Sequence, residues 1–309
     1  DSAYLTRTPS SDGNRKTFTW SGWIKRTTNN SSDYVALFSG QTAAGVGSND
    51  GLFIYQDKIH ISWNYDDSGQ NIRGSNVLRD PTAWYHIVWA VDTTLASAGN
   101  RMKVYINGDQ ITLDSNPGQN EDSGVNKATA QNIGVWRNGA TLLYKFDGYM
   151  AEVNFVDGLQ LTPDSFAKTD AVTGQWIPQK YSGAYGTNGF RITFADNSDT
   201  TATTLGKDES GNGNNFTPNN FSVAANLAND SMPDTPTNNF CTLNPLCATS
   251  SINFGNLDGN LVFDQTSNDQ AMAGTFFVTS GKWYWEIYKN ASQNPEIGIC
   301  GPQTRLSEQ

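Results

Sequence analysis

Carboxylates, histidines and aromatic side chains are the groups through which this chain could do chemistry. Hydrolysis of a glycosidic bond needs two carboxylates facing one cleft, and a strand places residues i, i+2 and i+4 on one face. Glu152 is followed at those positions by Asn154 and Val156, and Glu286 by Tyr288 and Asn290, so neither acid has a partner along its own strand. His60 and His86 are the only histidines, and no G-x-S-x-G, G-x-G-x-x-G or Walker sequence occurs. His86, between Tyr85 and Ile87 in an apolar run, reads as a hydrogen-bonded structural histidine. The three cysteines, Cys241, Cys247 and Cys300, have no zinc spacing and make an odd set, so they read as reduced small hydrophobes, with a Cys241–Cys247 bridge left open. The expectation is a protein that is not an enzyme.

Binding chemistry is better represented. Sugars are held by aromatic faces for stacking and by Asp or Asn for hydroxyls, often with calcium. Two groups of residues fit: Trp63, Tyr65, Asp66 and Asp67 at one strand end, and Trp136, Arg137 and Asn138 at another. Trp20, Trp23, Trp84, Trp89, Tyr149 and Phe155 lie inside strand runs and read as core. Asp196, Asp199 and Asp208, with Asn197 and Asn212, form oxygen-rich loops that could take a calcium ion. They match no EF-hand spacing, and Asp and Asn also populate turns by bonding their own backbone. No other cofactor is expected.

The elements that would position these groups are strands. Of 309 residues only 16% are charged, against about 25% in an average globular chain, and 9 Trp, 12 Tyr and 15 Phe accompany many Gly, Asn, Ser and Thr. An all-β, antiparallel two-sheet sandwich follows. Strands are expected at 17–26 (TFTWSGWIKR), 35–39, 52–55, 58–65, 84–92 (WYHIVWAVD), 101–106, 110–113, 132–136 and 190–195. Asn107-Gly108 marks a type I′ hairpin, and Gln56-Asp57 the centre of another. The stretch 141–160 holds a strand between two Asp-Gly turns, with Tyr149, Ala151 and Val153 on one face and Met150, Glu152 and Asn154 on the other. Thr162 and Pro163 suit the start of one helical turn.

A net charge of −10 argues against nucleic-acid or anionic membrane partners, and no apolar run is long enough to span a bilayer as a helix. Residues 1–220 read as one sandwich, 221–250 as a Pro/Asn/Thr-rich linker, and 251–309 as the start of a second sandwich with strands near 261–263, 274–279, 282–288 and 297–301. The chain begins at Asp1 and stops at Gln309 inside a strand-rich unit, so it is expected to be part of a longer polypeptide.

Three segments carry a family resemblance. Trp84-Tyr85-His86-Ile87-Val88, Val104-Tyr105-Ile106-Asn107-Gly108 and Asp147-Gly148-Tyr149-Met150-Ala151-Glu152-Val153 occur in the order and spacing of the laminin-G-like jelly roll, within the concanavalin A-like lectin/glucanase group. Hydrolases of that group carry an E-x-D-x-x-E-like strand, which is absent from this sequence. The later stretches Trp176-Ile177-Pro178, DESGNGNNFT and DTPTNNFCTLNPL resemble structural proteins of marine tailed phages, and SGKWYWEI resembles the opening of a SPRY-like domain. The resemblance implies a non-enzymatic virion component, such as a tail or head fibre or a capsid-surface protein. It would be assembled in the host cytoplasm and exposed on the particle. The partners implied are other virion proteins, further copies of the chain in a homo-oligomer, and a host surface glycan. A lectin-type adhesin is the alternative, and a glycan depolymerase a further one.

Overall fold

The structure, a computed structural model, describes residues 3–28, 33–41, 49–64, 69–138, 140–224, 229–248, 258–263, 271–289, 297–299 and 301. With strands numbered in chain order, β2 (Thr17–Arg26) lies inside a six-stranded antiparallel sheet. That sheet runs β16 (Phe190–Ile192), β13 (Gly148–Asp157), β2, β7 (Trp84–Asp92), β8 (Met102–Ile106), β9 (Asp109–Ile111). A seven-stranded sheet packs on it, in the order β17 (Thr217–Asn219), β1 (Tyr4–Arg7), β10 (Gln131–Ile133), β3 (Val35–Gln41), β4 (Asn49–Tyr55), β5 (Lys58–Trp63), β6 (Gln70–Val77). Two ribbons, β11 (Trp136–Asn138) with β12 (Thr141–Leu143) and β14 (Ala167–Thr169) with β15 (Trp176–Pro178), complete the strands of this unit.

Alternation fills the space between the sheets. Phe18, Trp20 and Ile24 of β2, Ile87, Trp89 and Val91 of β7, and Phe38, Leu52, Ile61 and Trp63 opposite them form one buried cluster. Phe18 stands edge-on to Trp89 at 5.2 Å and stacks on Phe155 at 5.4 Å. Asn107 (φ 51°) and Gly108 (φ 94°) both adopt the left-handed conformation that a type I′ turn requires between β8 and β9. Thr162 precedes a single 3-10 turn, Pro163–Ser165, without a side-chain cap bond.

The other face of the six-stranded sheet is buried as well. Val88, Ala90, Tyr105 and Val156 are covered by Phe166, Tyr181 and Tyr185, while Trp23, Trp84 and Tyr149 are covered by Ala167 and Trp176. This is why β2 is buried along both faces. The cover extends into the Pro-rich stretch expected to be a linker. Asp234 is buried, pairs with the buried Lys25 ammonium at 2.8 Å and accepts the Trp84 indole N–H at 2.8 Å. Lys25 also donates to Asn239 Oδ1 and the Phe240 carbonyl, at 2.7 and 2.9 Å. The compact unit accordingly runs from Asp1 to Phe240 rather than ending near residue 220.

Strand β13 departs from simple alternation. Ala151 pairs with Trp23 but Asn154 with Ser21, so Glu152 and Val153 together oppose Gly22. Glu152 takes a left-handed φ of 50°, the mark of a β-bulge. The extra residue resets the faces: Met150, Val153 and Phe155 join the inter-sheet core, whereas Tyr149, Ala151 and Val156 belong to the clusters on the other face. The expected partition of Tyr149, Ala151 and Val153 onto one face therefore fails at the bulge.

In the second unit, Cys241–Gln309, β18 (Leu243–Ala248) pairs with β19 (Met272–Gly274). Residues 282–288, expected as a strand, have no ladder partner among the described residues, and Trp283, Tyr284 and Trp285 are exposed. Cys241 and Cys247 are free thiols, so the bridge left open between them is not formed.

Candidate functional site

The outer face of the seven-stranded sheet gathers aromatic rings where β4 turns into β5. Phe53 and Tyr55 are two residues apart on β4 and point to the same side. His60 of β5 pairs with Phe53, and Arg73 of β6 pairs with His60, which brings four strand-borne side chains to one patch. Tyr34, just before β3, lies across them. Its ring stacks on Tyr55 with centroids 4.3 Å apart and planes 15° apart, and it meets His60 and Phe53 edge-on at 4.9 and 6.2 Å. Tyr144 follows at 5.2 Å from Tyr34, and Trp136 at 5.2 Å from Tyr144. The Tyr144 carbonyl accepts the Ala36 N–H at 2.7 Å, which fixes the β11–β12 ribbon against the start of β3. Phe53 and His60 form the buried floor, Tyr34, Tyr55 and Trp136 are half-buried, and Tyr144 is exposed.

A cleft adjoins the rings, lined by Tyr55, Gln56, Lys58, Ile59, His60 and Arg73. It opens where β6 leaves β5. The pairing slips between Lys58 and His60, and β6 turns instead to residues 112–114 through a Gly74–Leu113 bridge and bonds joining Ser75 to Thr112 and Asp114 to Arg73. Burial pushes the His60 imidazole below its ordinary pKa, so the ring is neutral at pH 7. Its Nε2 lies 3.1 Å from Asn71 Oδ1. With the carboxamide oxygen as acceptor, the proton sits on Nε2 and the Nδ1 lone pair remains for an incoming donor.

The residues singled out from the sequence are dispersed by the fold. Trp63 is a correction: it is fully buried on the inner face, with its ring 6.4 Å from Phe18 and 6.3 Å from Trp89, and its indole N–H donates to Glu121 at 3.2 Å. It sits inward because β5 alternates Ile59, Ile61 and Trp63 into the core. Tyr65, Asp66 and Asp67 lie outside the described residues. Trp136 does join the ring row, and the Asn138 backbone pairs with Thr141, while the Asn138 side chain is outside the described set. Trp63 faces the core from β5, level with the Gly40 end of β3, whereas Trp136 lies in the outer ring row by the Ala36 end, so they belong to no common site.

Asp196 and Asp199 are exposed and accept bonds from Ser198 and Thr200 in their own turns. Asp208 is buried. Its Oδ1 takes the N–H groups of Arg191 and Ser210, and its Oδ2 takes the Ser210 hydroxyl and the Asn214 N–H, so its acceptor capacity is used in holding the loop. Among the described residues, no three His, Cys, Asp or Glu side chains come together in a metal-binding group.

Two other polar groups look catalytic by type. Glu152, placed by the bulge, is held by Arg191 in a two-pronged pair at 3.0 and 2.8 Å. His86 Nε2 is 2.9 Å from the Ser21 hydroxyl, while its Nδ1 accepts the Trp176 indole N–H at 3.1 Å. An indole can only donate, so the His86 proton resides on Nε2 and points at Ser21; the ring cannot draw a proton from that hydroxyl. Burial drives the His86 pKa down to about 3, and both side chains are sealed from solvent.

Residues 1–167 match a laminin-G family model described as the concanavalin A-like lectin/glucanases superfamily. No curated protein sequence is significantly similar to the chain. Similar solved structures include a candidate carbohydrate-binding protein from Bacteroides ovatus, with 17% identity, a TM-score of 0.47, and coverage of 71% of this chain and 56% of the other. A heptameric pentraxin from Limulus polyphemus shares 16% identity with a TM-score of 0.39, covering 52% of this chain and 71% of the pentraxin. A sialidase CBM40 domain from Ruminococcus gnavus, in a complex with α2,3-sialyllactose, shares 15% identity with a TM-score of 0.37, covering 52% and 95%. The chain thus spans little more than half the length of the first of these.

Proposed function

The chain belongs to the concanavalin A-like lectin/glucanases superfamily, and from that premise we propose that its first unit is a non-catalytic glycan-binding domain whose binding face is the ring row on the seven-stranded sheet. The observation that carries this reading is the partly exposed run Tyr55, Tyr34, Tyr144 and Trp136, in ring-to-ring steps of 4.3, 5.2 and 5.2 Å. Rings held against one another on a rigid sheet offer apolar area to the C–H faces of a sugar through their outward faces and edges, at little cost in side-chain entropy. The tyrosine hydroxyls and His60 Nδ1 supply polar contacts for sugar hydroxyls. On a virus particle, the setting implied by the resemblance of the later segments to phage structural proteins, such a face would serve attachment to a host. No metal is needed for this mode of binding.

Glycan-array and calorimetric binding test the reading. Tyr55→Ala and Trp136→Ala should each weaken binding about tenfold or more, the amount a lost stacking contact of roughly 1–1.5 kcal/mol implies. A chelator should leave affinity unchanged. Wild-type affinity retained in the Tyr55→Ala/Trp136→Ala pair would move the site elsewhere, and an array without any bound glycan would overturn the proposal.

A further inference from the structure

We infer that the cleft beside the ring row takes the anionic group of an acidic sugar, a carboxylate or a sulfate ester; this rests on the glycan-binding reading of the same face. The chain has 30 acidic and 20 basic residues, so cations held open on one patch run against its overall charge. Lys58 and Arg73 line the cleft, both are exposed, and neither side chain has an ion pair or hydrogen bond among the described residues. The buried and half-buried cations Lys25, Arg26 and Arg191 are by contrast engaged, by Asp234, by Asp57 at 2.8 Å and by Glu152.

The neighbouring acids do not fill the cleft. Asp57, in the turn between Tyr55 and Lys58, is held by Arg26. Asp114 caps the Arg73 backbone N–H at 2.8 Å and accepts the Ser115 hydroxyl through the same oxygen. His60 stands between the two cations as a neutral ring and adds an acceptor for a hydroxyl rather than a third charge. A guanidinium and an ammonium flanking an acceptor, next to a stacking tyrosine, match a sugar ring that carries an anion and free hydroxyls. Because both cations are on the solvent side, their removal leaves the core packing intact.

The test pairs a neutral oligosaccharide with derivatives of the same oligosaccharide carrying a uronate, a sialate or a sulfate, titrated calorimetrically into the full chain and its Lys58→Ala/Arg73→Ala variant. Wild-type protein should bind at least one acidic member tenfold or more tightly than the neutral one, and the preferred derivative identifies carboxylate or sulfate. The variant should lose that preference, binding acidic and neutral members alike, and melt at the wild-type temperature. Equal wild-type affinity for neutral and acidic members overturns the inference while leaving glycan binding in place. A variant that keeps its acidic preference does the same. A wild-type protein that binds none of them overturns the glycan reading, and this inference with it.

Discussion

Single residues show how polar groups were made tolerable inside this sandwich. Lys25 is fully buried, and its ammonium is satisfied by Asp234, Asn239 and the Phe240 carbonyl. Removing one partner of a buried pair leaves a charge without compensation, which costs about 3–5 kcal/mol. Asp234→Ala should therefore lower stability by that amount in urea titrations, also stranding the Trp84 N–H, and a loss under 1 kcal/mol would contradict the buried pairing. His86 has the opposite character, since burial keeps it neutral. An unfolded histidine binds a proton below about pH 6.5, whereas the folded ring does so only near about 3. Between those values the unfolded chain carries the extra proton, so stability rises with pH, by up to ~1.4 kcal/mol per unit. The contribution is complete above pH 6.5 and drains away as pH falls toward 3. Urea midpoints at pH 7, 5.5 and 4.5 should drop more steeply for wild type than for His86→Gln, in which the common carboxylate titration persists; parallel curves would refute the assignment.

At the scale of elements, the parts legible in the sequence are those governed by alternation and turn chemistry. The strands at 17–26 and 84–92 and the Asn107-Gly108 hairpin were visible because each signal is local. The β13 bulge was not, because it is defined by cross-strand register, Glu152 and Val153 against Gly22, and no local signal around Glu152 marks it. The ring row is harder still: Tyr34, Tyr55, His60, Tyr144 and Trp136 come from five separate strands and loops, and only the Phe53–Tyr55 spacing on β4 hints that aromatics face outward. Trp63 misled for a related reason, since a tryptophan at a strand end resembles a platform until the register assigns its face. The Pro-rich stretch misled through composition. Prolines disfavour ladders without preventing packing, and residues 231–240 act as a strap over Lys25 and Trp84. A chain ending at residue 220 should thus be less stable than one ending at 240 by several kcal/mol, with the Lys25 ammonium and the Trp84 indole N–H left without their partners. Differential scanning calorimetry would register the loss, and identical melting of the two chains would return the strap to the status of a linker.

For the whole molecule, the division into Asp1–Phe240 and Cys241–Gln309 assigns every group of the binding site to the first unit. Tyr34, Tyr55, Lys58, His60, Arg73, Trp136 and Tyr144 all lie within it, as do both sheets, the layer that covers the six-stranded sheet and the strap that holds that layer. Every residue of the three buried clusters of the sandwich lies before 240, and the Lys25 ammonium is held by Asp234, Asn239 and the Phe240 carbonyl. The unit is large enough to bury about 70% of its unfolded surface without disulfides, so it has the means to fold alone. A chain of residues 1–240 should accordingly melt in one cooperative transition and bind glycans with the affinity of the full chain, within about twofold. The aromatic cluster 276–288 of the second unit supplies the opposing case, because Phe277, Trp283, Tyr284 and Tyr288 are exposed rings of the type that sugars also stack on. If the glycan affinity departed with residues 241–309 while the 1–240 chain still melted cooperatively, the binding face would belong to those rings and not to the sheet.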